Sequence, residues 1–317
     1  MKGEAVTPNL SGRNIISIND LTQDEISLIL ETSNSFLEVS KREIKKIPTL
    51  RGKTIVNLFY EPSTRTRTSF EIAGKRLSAD VINISEKSSA AVKGETLSDT
   101  SKTINAMDAD ALIIRHPLSG APYIVAENIN CPVINAGDGC HEHPTQALLD
   151  LFTIKKRRGQ LDGLKAVIVG DILHSRVARS NILAFKKMGM EVTIVAPQTL
   201  IPKDIELLGA RVSNNFDEVI GSVDIIYMLR IQMERMSRAY FPSIREYSKF
   251  YGLNRERLRK ANDGVLIMHP GPINRGIEIE SEVADLAQST IVEQVTSGVA
   301  VRMAILYLVL SGEQVEH

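Results

Sequence analysis

The sequence predicts an α/β protein of two domains, each a mainly parallel sheet flanked by helices, with long helices joining them. Short β-branched runs alternate with longer amphipathic stretches along the chain. That alternation is typical of parallel sheets, because the crossover between two parallel strands is usually a helix. At 317 residues the chain is long enough for about two such domains.

A helix near the start of the chain is signalled at its first turn. Thr22 and Glu25 have the spacing of a capping box, and Leu21 and Ile26 are placed to form a hydrophobic staple around it. The first α/β unit follows. Its predicted strands are Thr54–Tyr60, Val81–Ser85, Ala111–Arg115 and Val133–Asn135. Its predicted helices are Arg65–Leu77, Leu97–Met107 and Ala121–Asn128.

A long amphipathic run, Pro144–Arg157, is predicted to join the two units. The basic residues at its end suit a helix C-terminus, so we interpret them as a solvated helix end rather than a nucleic-acid contact. The predicted strands of the second unit are Ala166–Val169, Val192–Ala196, Ile225–Leu229 and Val265–His269. Its predicted helices are Val177–Met188, Ile244–Tyr251 and Glu256–Lys260.

The chain closes with a predicted helix, Ile291–Leu310. Apolar side chains recur there every three or four residues, which predicts one face packed on a core. They are Val292, Val295, Val299, Met303, Leu306 and Leu310. We expect residues 1–145 with the C-terminal helix 291–317 to form one domain, and residues 146–290 to form the other.

Composition excludes several classes of partner. Lys and Arg number 38 and Asp and Glu also number 38, so the balance favours neither nucleic acid nor an anionic membrane. Two cysteines are too few for a disulfide framework and suit a reducing compartment. The polar N-terminal stretch lacks the apolar core of a signal peptide, and Ala304–Leu310 is too short to span a bilayer. We therefore expect a cytoplasmic protein.

The strongest local signal is the run Glu61–Glu71, which follows an apolar strand and opens a helix. Pro62 suits the entry to that helix, and Ser63 or Thr64 can cap it. Free backbone N–H groups with hydroxyls and the Arg65 guanidinium beside them can hold a phosphate. A well-capped helix with a surface arginine is the alternative interpretation. The density of hydroxyl and guanidinium groups directly after a strand favours an anion site.

Other motifs exclude some ligands and leave others open. The chain has no nucleotide P-loop. The turn that begins Val169-Gly170-Asp171 lacks the glycines that NAD binding needs. Arg176, at the end of that turn, therefore suggests a contact with a carboxylate or a phosphate. His143 opens the connecting helix, where it either polarises a carbonyl as a neutral imidazole or caps a turn. The run Cys140–His143 is a candidate zinc site, but no second ligand cluster is evident in the sequence, so we expect no metal.

Four arginines lie where a predicted strand passes into the loop that follows it. Arg65 and Arg176 follow strands, and Arg115 and Arg230 end strands. A single arginine there is usually a surface ion pair of little energetic value. Four at the carboxyl ends of parallel strands point to a ligand cleft, which we expect between the two domains.

Together these motifs resemble the aspartate/ornithine carbamoyltransferase family, over nearly the whole chain. The runs in the family's order are Ser63–Arg67, Lys93–Thr96, Arg115–Pro117, His143–Gln146, Arg230–Gln232 and His269–Pro272. The resemblance implies transfer of the carbamoyl group of carbamoyl phosphate to an amino acid, without metal or organic cofactor. It also implies a homotrimer or a dimer of trimers, with a dihydroorotase or a regulatory chain as further candidate partners.

The resemblance also implies roles for individual residues. The phosphate of carbamoyl phosphate would be held by Ser63, Thr64, Arg65 and Thr66. Its carbonyl oxygen would be polarised by Arg115, His143 and Thr66. Gln146 would hold the carbamoyl amide. Ser89 and Lys93 lie on a loop, Glu86–Glu95, that reaches a neighbouring subunit's site in the family. Carboxylates would be bound by Arg176, Arg230 and Gln232, and the carbonyls of Pro270 and Gly271 would face the carbamoyl nitrogen or the incoming amine.

Within the family the sequence favours L-aspartate as acceptor. An arginine-rich second site would repel the cationic side chain of ornithine, and the ornithine branch typically carries Ser-Met-Gly and His-Cys-Leu-Pro where this chain has Arg230–Gln232 and His269–Pro270. The Pro270–Arg275 stretch differs from the Pro-Leu-Pro-Arg of enteric enzymes and is similar to other bacterial forms. A non-catalytic scaffold homologue is the rival class, but such proteins are expected to lose the phosphate loop or Lys93.

Overall fold

The computed structural model describes residues 8–85, 95–233 and 240–311. The chain divides into two compact units, one formed by Met1–Leu148 with Thr296–His317 and the other by Leu149–Val295. The helices α5 (Pro144–Arg158) and α11 (Ile291–Leu310) each carry the chain from one unit to the other. This agrees with the predicted pair of α/β domains joined by long helices.

The described part of the first unit is built on a four-stranded sheet in which every strand pairing is parallel. Its strands are β1 (Thr54–Phe59), β2 (Asp80–Ser85), β3 (Ala111–His116) and β4 (Val133–Asp138). The order across the sheet is β2-β1-β3-β4. The central strands are almost wholly buried, as expected for a parallel sheet covered on both faces, whereas β2 forms an exposed edge.

Helices connect these strands. They are α1 (Gln23–Lys41), α2 (Thr64–Arg76), α3 (Leu97–Ala106) and α4 (Ala121–Ala126). The capping box predicted for α1 is confirmed: the Thr22 hydroxyl accepts from the Glu25 amide, and the Glu25 carboxylate accepts from the Thr22 amide at 2.8 Å. Apolar residues of β1, β3 and β4 pack with those of α3 and α4 in one core cluster.

The described part of the second unit contains a five-stranded sheet, again parallel throughout, in the order β7-β6-β5-β8-β9. Its strands are β5 (Lys165–Val169), β6 (Glu191–Val195), β7 (Arg211–Ser213), β8 (Ile225–Met228) and β9 (Leu266–Met268). Its further helices are α6 (Arg176–Lys187), α7 (Phe216–Val219), α8 (Ile244–Tyr251), α9 (Arg255–Leu258) and α10 (Ser281–Ala284).

Helix α11 has the predicted bounds but not the predicted face. Met303 and Leu306 are buried, but Val292 is 81% exposed and Val295 is 53% exposed, so the expectation of one continuous apolar face is wrong. Between residues 291 and 299 only Gln294, Ser297 and Gly298 are buried, whereas residues 300–306 are buried on every side of the helix. Its length and composition would suit a membrane span, but 56% of the apolar window is buried, which is typical of a core helix.

The capping box gives a first test of the fold. We expect Thr22→Ala to lower the free energy of unfolding by about 1 kcal/mol, because the Glu25 amide in the first turn of α1 loses its cap. Urea denaturation measures this change. Thr32→Ala inside the same helix is the matched control, and it should be neutral or slightly stabilising because alanine is the better helix former. Equal losses in the two variants would contradict the capping role.

Candidate active site

The first unit presents a helix start directly after a buried strand. Strand β1 ends at Phe59 and α2 begins at Thr64. Ser63 is the N-cap residue, but its side chain makes no capping hydrogen bond, so the expectation that this hydroxyl caps the helix is wrong. Thr64 and Arg65 are exposed, and Thr66 is buried. The first-turn amides of a helix have no partner within the helix, and anion sites use such amides.

Strand order brings a second cation to this edge. From β1 the chain first adds β2 on one side and then returns to add β3 on the other side. The order of strands therefore reverses between the neighbours β1 and β3. Phe59 is paired with Arg115, and the Tyr60 amide donates to the Arg115 carbonyl at 2.9 Å. Ligands of open parallel sheets bind at such a reversal, outside the carboxyl ends of the strands. Arg115 and the start of α2 flank that point.

The Arg115 guanidinium is oriented by two contacts. Its Nη1 donates to the Ala136 carbonyl on β4 at 3.2 Å. Its Nε lies 3.2 Å from Glu61 Oε2, and both side chains are largely buried. Glu61 precedes the helix-opening segment, so a single carboxylate connects the arginine of β3 to the loop after β1.

His143 stands immediately before α5 and is buried. Its carbonyl accepts from the Gln146 amide at 3.0 Å, as an N-cap carbonyl does, and its Nδ1 lies 3.5 Å from the Thr145 hydroxyl. The buried Arg302 of α11 donates to the Ser69 hydroxyl on α2 at 2.9 Å and to the Thr145 hydroxyl at 3.5 Å. Arg302 thereby connects α2 to the start of α5.

A buried carboxylate organises the turn that leads to His143. Asp138 accepts from the Gly120 amide at 2.7 Å, from Asn135 Nδ2 at 2.8 Å and from the Glu142 amide at 3.1 Å, and it lies 3.0 Å from His141 Nδ1. Burial acts to raise the pKa of Asp138, but the hydrogen bonds from His141, Asn135 and Gly120 outweigh it. The pKa of this carboxyl is therefore below its ordinary value.

The same turn contains the candidate zinc run, Cys140–His143. His141 faces Asp138, and the Glu142 carboxylate accepts from the Ser17 hydroxyl and from the Ile18 amide. Cys140 is exposed. Across residues 8–85, 95–233 and 240–311, no three His, Cys, Asp or Glu side chains are grouped as metal ligands.

In the second unit the corresponding reversal of strand order lies between β5 and β8. The loop after β5 carries Asp171, which is fully buried; its Oδ1 lies 2.8 Å from His174 Nδ1, and its Oδ2 accepts from the Gln232 amide at 3.3 Å. Gln232 Nε2 in turn donates to the His174 carbonyl at 3.0 Å. One carboxylate therefore ties the loop after β5 to the loop after β8.

Gly170 shows how closely these two loops approach. Its φ is +130°, and a Cβ there would lie 2.8 Å from the Leu229 carbonyl oxygen, so only glycine fits. The buried Tyr247 hydroxyl lies on the same side, 3.2 Å from the position of that Cβ. Burial raises the pKa of Tyr247 well above its ordinary value, and the negative charges of Glu278 and Asp171 act in the same direction.

The arginines of the second unit flank its strand-order reversal. Arg176 is the first residue of α6 and is buried, and Arg230 is half-buried just beyond β8. Pro270 and Gly271 are half-buried just beyond β9, next to β8. Ser89 and Lys93 lie outside the described residues.

Comparisons with known proteins agree with this geometry. Residues 13–156 match the family model "Aspartate/ornithine carbamoyltransferase, carbamoyl-P binding domain", and residues 162–309 match "Aspartate/ornithine carbamoyltransferase, Asp/Orn binding domain". The chain belongs to the aspartate/ornithine carbamoyltransferase family. It is 60% identical to an aspartate carbamoyltransferase catalytic subunit from Syntrophus aciditrophicus, over 93% of this chain and 96% of that protein. The counterpart from Syntrophotalea carbinolica is 56% identical over 96% and 97%.

Solved structures of the family confirm the fold without separating its branches. Aspartate transcarbamoylase from Trypanosoma cruzi, in complex with carbamoyl phosphate and aspartate, has a TM-score of 0.87 at 30% identity, covering 96% of this chain and all of that one. Ornithine carbamoyltransferase from Pyrococcus furiosus has a TM-score of 0.86 at 28% identity, covering 97% and 100%. The choice of amino acid within this family therefore depends on side chains.

Sequence reasoning missed the acids that orient the candidate cations and loops. Glu61, Asp138 and Asp171 were not singled out, nor was Glu278, which contacts the loop after β9. Their signal was weak but present, because Asp138 ends a buried strand and Glu61 and Asp171 each follow one by two residues, at the carboxyl ends where the candidate cations are gathered.

The depressed pKa of Asp138 predicts a stability effect that depends on pH. An acid whose folded-state pKa is lowered stabilises the fold above its unfolded pKa, near 3.8, and that stability is lost as pH falls through the folded pKa. We expect Asp138→Asn to lower the free energy of unfolding by about 1–3 kcal/mol near neutral pH, because the amide cannot accept all four hydrogen bonds.

The measurement is urea denaturation of wild type and Asp138→Asn at a series of pH values. The difference between them should be constant above pH about 4 and should shrink below it. Asp80→Asn on the exposed end of β2 is the control and should show little difference at any pH. A difference that does not change with pH would show that the charge of Asp138 contributes nothing.

Proposed function

We propose that this chain transfers the carbamoyl group of carbamoyl phosphate to the amino group of L-aspartate, giving N-carbamoyl-L-aspartate and phosphate, a step of pyrimidine biosynthesis. The observation that carries the proposal is the pair Arg176 and Arg230 on either side of the strand-order reversal of the second unit. Two guanidinium groups suit a dicarboxylate and oppose the ammonium of ornithine. The 56–60% identical relatives, which bear the name of aspartate carbamoyltransferase, support this choice.

We assign carbamoyl phosphate to the domain of residues 1–145 with 291–317, and aspartate to residues 146–290. Ser63, Thr64, Arg65 and Thr66 hold the phosphate through first-turn amides, hydroxyls and a guanidinium, because a helix start favours negative charge. Ser89 and Lys93 of a neighbouring subunit complete this set.

The carbamoyl group is held by a second set of donors. Arg115, His143 and Thr66 donate to its carbonyl oxygen, and Gln146 orients its amide. The contacts of Arg115 with Glu61 and with the Ala136 carbonyl support this role, because they fix the guanidinium before substrate binds. A buried His143 before α5 supports a neutral imidazole that donates without losing its proton.

Aspartate is bound by Arg176, Arg230 and Gln232 through its two carboxylates. Asp171 supports this arrangement, because it accepts from the Gln232 amide and holds the loop of His174 that precedes Arg176. The carbonyls of Pro270 and Gly271 accept hydrogen bonds from the incoming amine or from the carbamoyl nitrogen.

The reaction proceeds by addition and elimination at the carbamoyl carbon. The neutral aspartate amine forms a C–N bond, and the carbonyl π electrons move to oxygen, where Arg115, His143 and Thr66 stabilise the oxyanion. The oxyanion collapses, the C–O bond to phosphate breaks, and phosphate leaves with the electron pair. The departing phosphate is the candidate acceptor for the proton that the amine loses. Orientation and charge stabilisation are sufficient for these steps.

A shared site implies an oligomer, and we propose a homotrimer or a dimer of trimers, located in the cytoplasm. The Glu86–Glu95 loop supplies Ser89 and Lys93 to the neighbouring protomer in this arrangement. A dihydroorotase or a regulatory chain is a further candidate partner.

A substrate assay tests the function. The purified chain is incubated with carbamoyl phosphate and either L-aspartate or L-ornithine, and phosphate release is followed. We expect release with aspartate and none above background with ornithine, because the second site is cationic. Activity with ornithine alone would reject the assignment, and no release with either substrate would favour a non-catalytic scaffold.

The arginine pair is tested in the same assay. Arg230→Ala should raise KM for aspartate and reduce kcat/KM by about a hundredfold or more, since a charge-assisted bidentate contact is lost. Arg211→Ala is the matched control, because Arg211 is a 72% exposed arginine of the same unit that pairs with Glu191. An unchanged kcat/KM in Arg230→Ala would remove Arg230 from the site.

Complementation tests the shared site. Lys93→Ala and Arg115→Ala should each reduce kcat by about 10²–10³-fold, because each removes a donor aimed at developing charge. Co-expressed in equal amounts, they should recover about a quarter of wild-type activity. About three quarters of the trimers are then mixed, and each mixed trimer has one of its three sites with both residues intact. Mixtures no more active than either variant alone would show that each site lies within one protomer.

A further inference from the structure

The loop after β9 begins with a buried histidine whose protonation state is fixed by its neighbours. The Gly271 amide donates to His269 Nδ1 at 2.7 Å, and an amide can only donate, so Nδ1 carries a lone pair. The ring proton therefore resides on Nε2, which lies 3.2 Å from Glu278 Oε1. Both side chains are fully buried. His269 is thus a neutral imidazole that accepts from Gly271 and donates to Glu278.

The backbone of His269 is held independently of its ring. Its amide donates to Gln294 Oε1 at 3.0 Å, and Gln294 Nε2 donates to Asp150 Oδ1 at 2.7 Å. The other oxygen of Asp150 accepts from the Tyr227 hydroxyl at 2.7 Å and from Asn181 Nδ2 at 3.0 Å. All of these side chains are buried. The start of the loop is therefore fixed at both its main chain and its side chain.

This arrangement sets the direction of one carbonyl. The Gly271 N–H and the Pro270 C=O belong to the same peptide group, which is not among the cis bonds of the described chain. In a planar trans peptide the two bonds point in opposite directions. Because the Gly271 N–H points at the His269 ring, the Pro270 oxygen points away from that ring.

The same hydrogen bonds also increase the charge on that oxygen. The Glu278 carboxylate accepts from Nε2, which makes Nδ1 a stronger acceptor for the Gly271 N–H. A more polarised N–H shifts electron density within its peptide group toward the Pro270 oxygen, as hydrogen bonds in series do in a low-dielectric interior. Glu278 Oε1 also accepts from the Asn274 amide at 2.6 Å, so the acid holds both ends of the loop.

We propose that His269 and Glu278 are positioning residues for the transfer reaction: they aim the Pro270 carbonyl at the attacking amine and increase the negative charge on its oxygen. The inference rests on the proposed function. During attack the amine nitrogen becomes cationic, so an acceptor with enhanced negative charge stabilises the transition state more than the ground state. No proton moves through the His269–Glu278 pair.

Three substitutions separate the parts of this pair. His269→Asn keeps an acceptor near Nδ1 for the Gly271 amide but cannot reach Glu278. His269→Leu removes the acceptor and fills the space of the ring with an apolar side chain of similar size. Glu278→Gln keeps an oxygen for the His269 and Asn274 donors but removes the negative charge.

We expect kcat with carbamoyl phosphate and aspartate to fall about tenfold in His269→Asn and Glu278→Gln, and about a hundredfold or more in His269→Leu. The Kd of carbamoyl phosphate, measured by calorimetry, should stay within about twofold of wild type, because the residues assigned to its phosphate and its carbonyl oxygen lie in the other unit. The partial rescue by asparagine over leucine is the result that a purely space-filling role would not give.

Asp217→Asn is the matched control for Glu278→Gln. Asp217 is a carboxylate of the same unit that accepts from Arg257 Nε at 3.1 Å and from Lys260 Nζ at 3.0 Å, and it has no role in the proposed chemistry. Its variant should keep kcat within about threefold of wild type. If the His269 and Glu278 variants also keep wild-type kcat, or if asparagine and leucine at 269 are equally defective, the inference is overturned. A wild-type chain inactive with aspartate would instead reject the proposed function itself.

Discussion

Each sheet of this protein grows first in one direction and then in the other, and that reversal leaves the carboxyl ends of two adjacent strands uncovered by any crossover helix. Between β1 and β3, the uncovered edge carries Arg115 and the start of α2. Between β5 and β8, it carries Arg176 and the loop of Arg230. The same constraint thus places an arginine and a helix start at the strand-order reversal of each unit.

The arginine side chains and the loops at these strand ends have to be held in position, and largely buried acids hold them. Glu61 holds Arg115, Asp171 holds the loops of His174 and Gln232, and Glu278 holds the loop after β9. Asp171 and Glu278 accept hydrogen bonds from backbone amides, and Glu61 forms an ion pair with Arg115. A fixed donor or carbonyl needs little reorganisation when charge develops in the reaction, which is why such support matters for catalysis.

Many elements could be predicted because their signals are local. The capping box of α1 and the bounds of α8 follow from spacing within a few residues. The three-residue strand β7 was missed because so short a segment has too little periodicity to detect. The apolar face of α11 was wrongly assigned because residues 300–306 are buried on every side of the helix, so the spacing of the apolar residues there does not mark a single face.

The sequence by itself determined the fold class, because strand runs and helix starts are visible in the order of residues. Its resemblance to a known family then supplied the candidate substrate-binding residues and the expected dicarboxylate acceptor. Only the tertiary structure decided which groups orient them. Glu278 follows His269 by nine positions and Asp150 precedes Gln294 by 144, so no local pattern connects either pair. Hydrogen bonds between buried groups depend on distance in space, and packing alone brings these side chains within reach of one another.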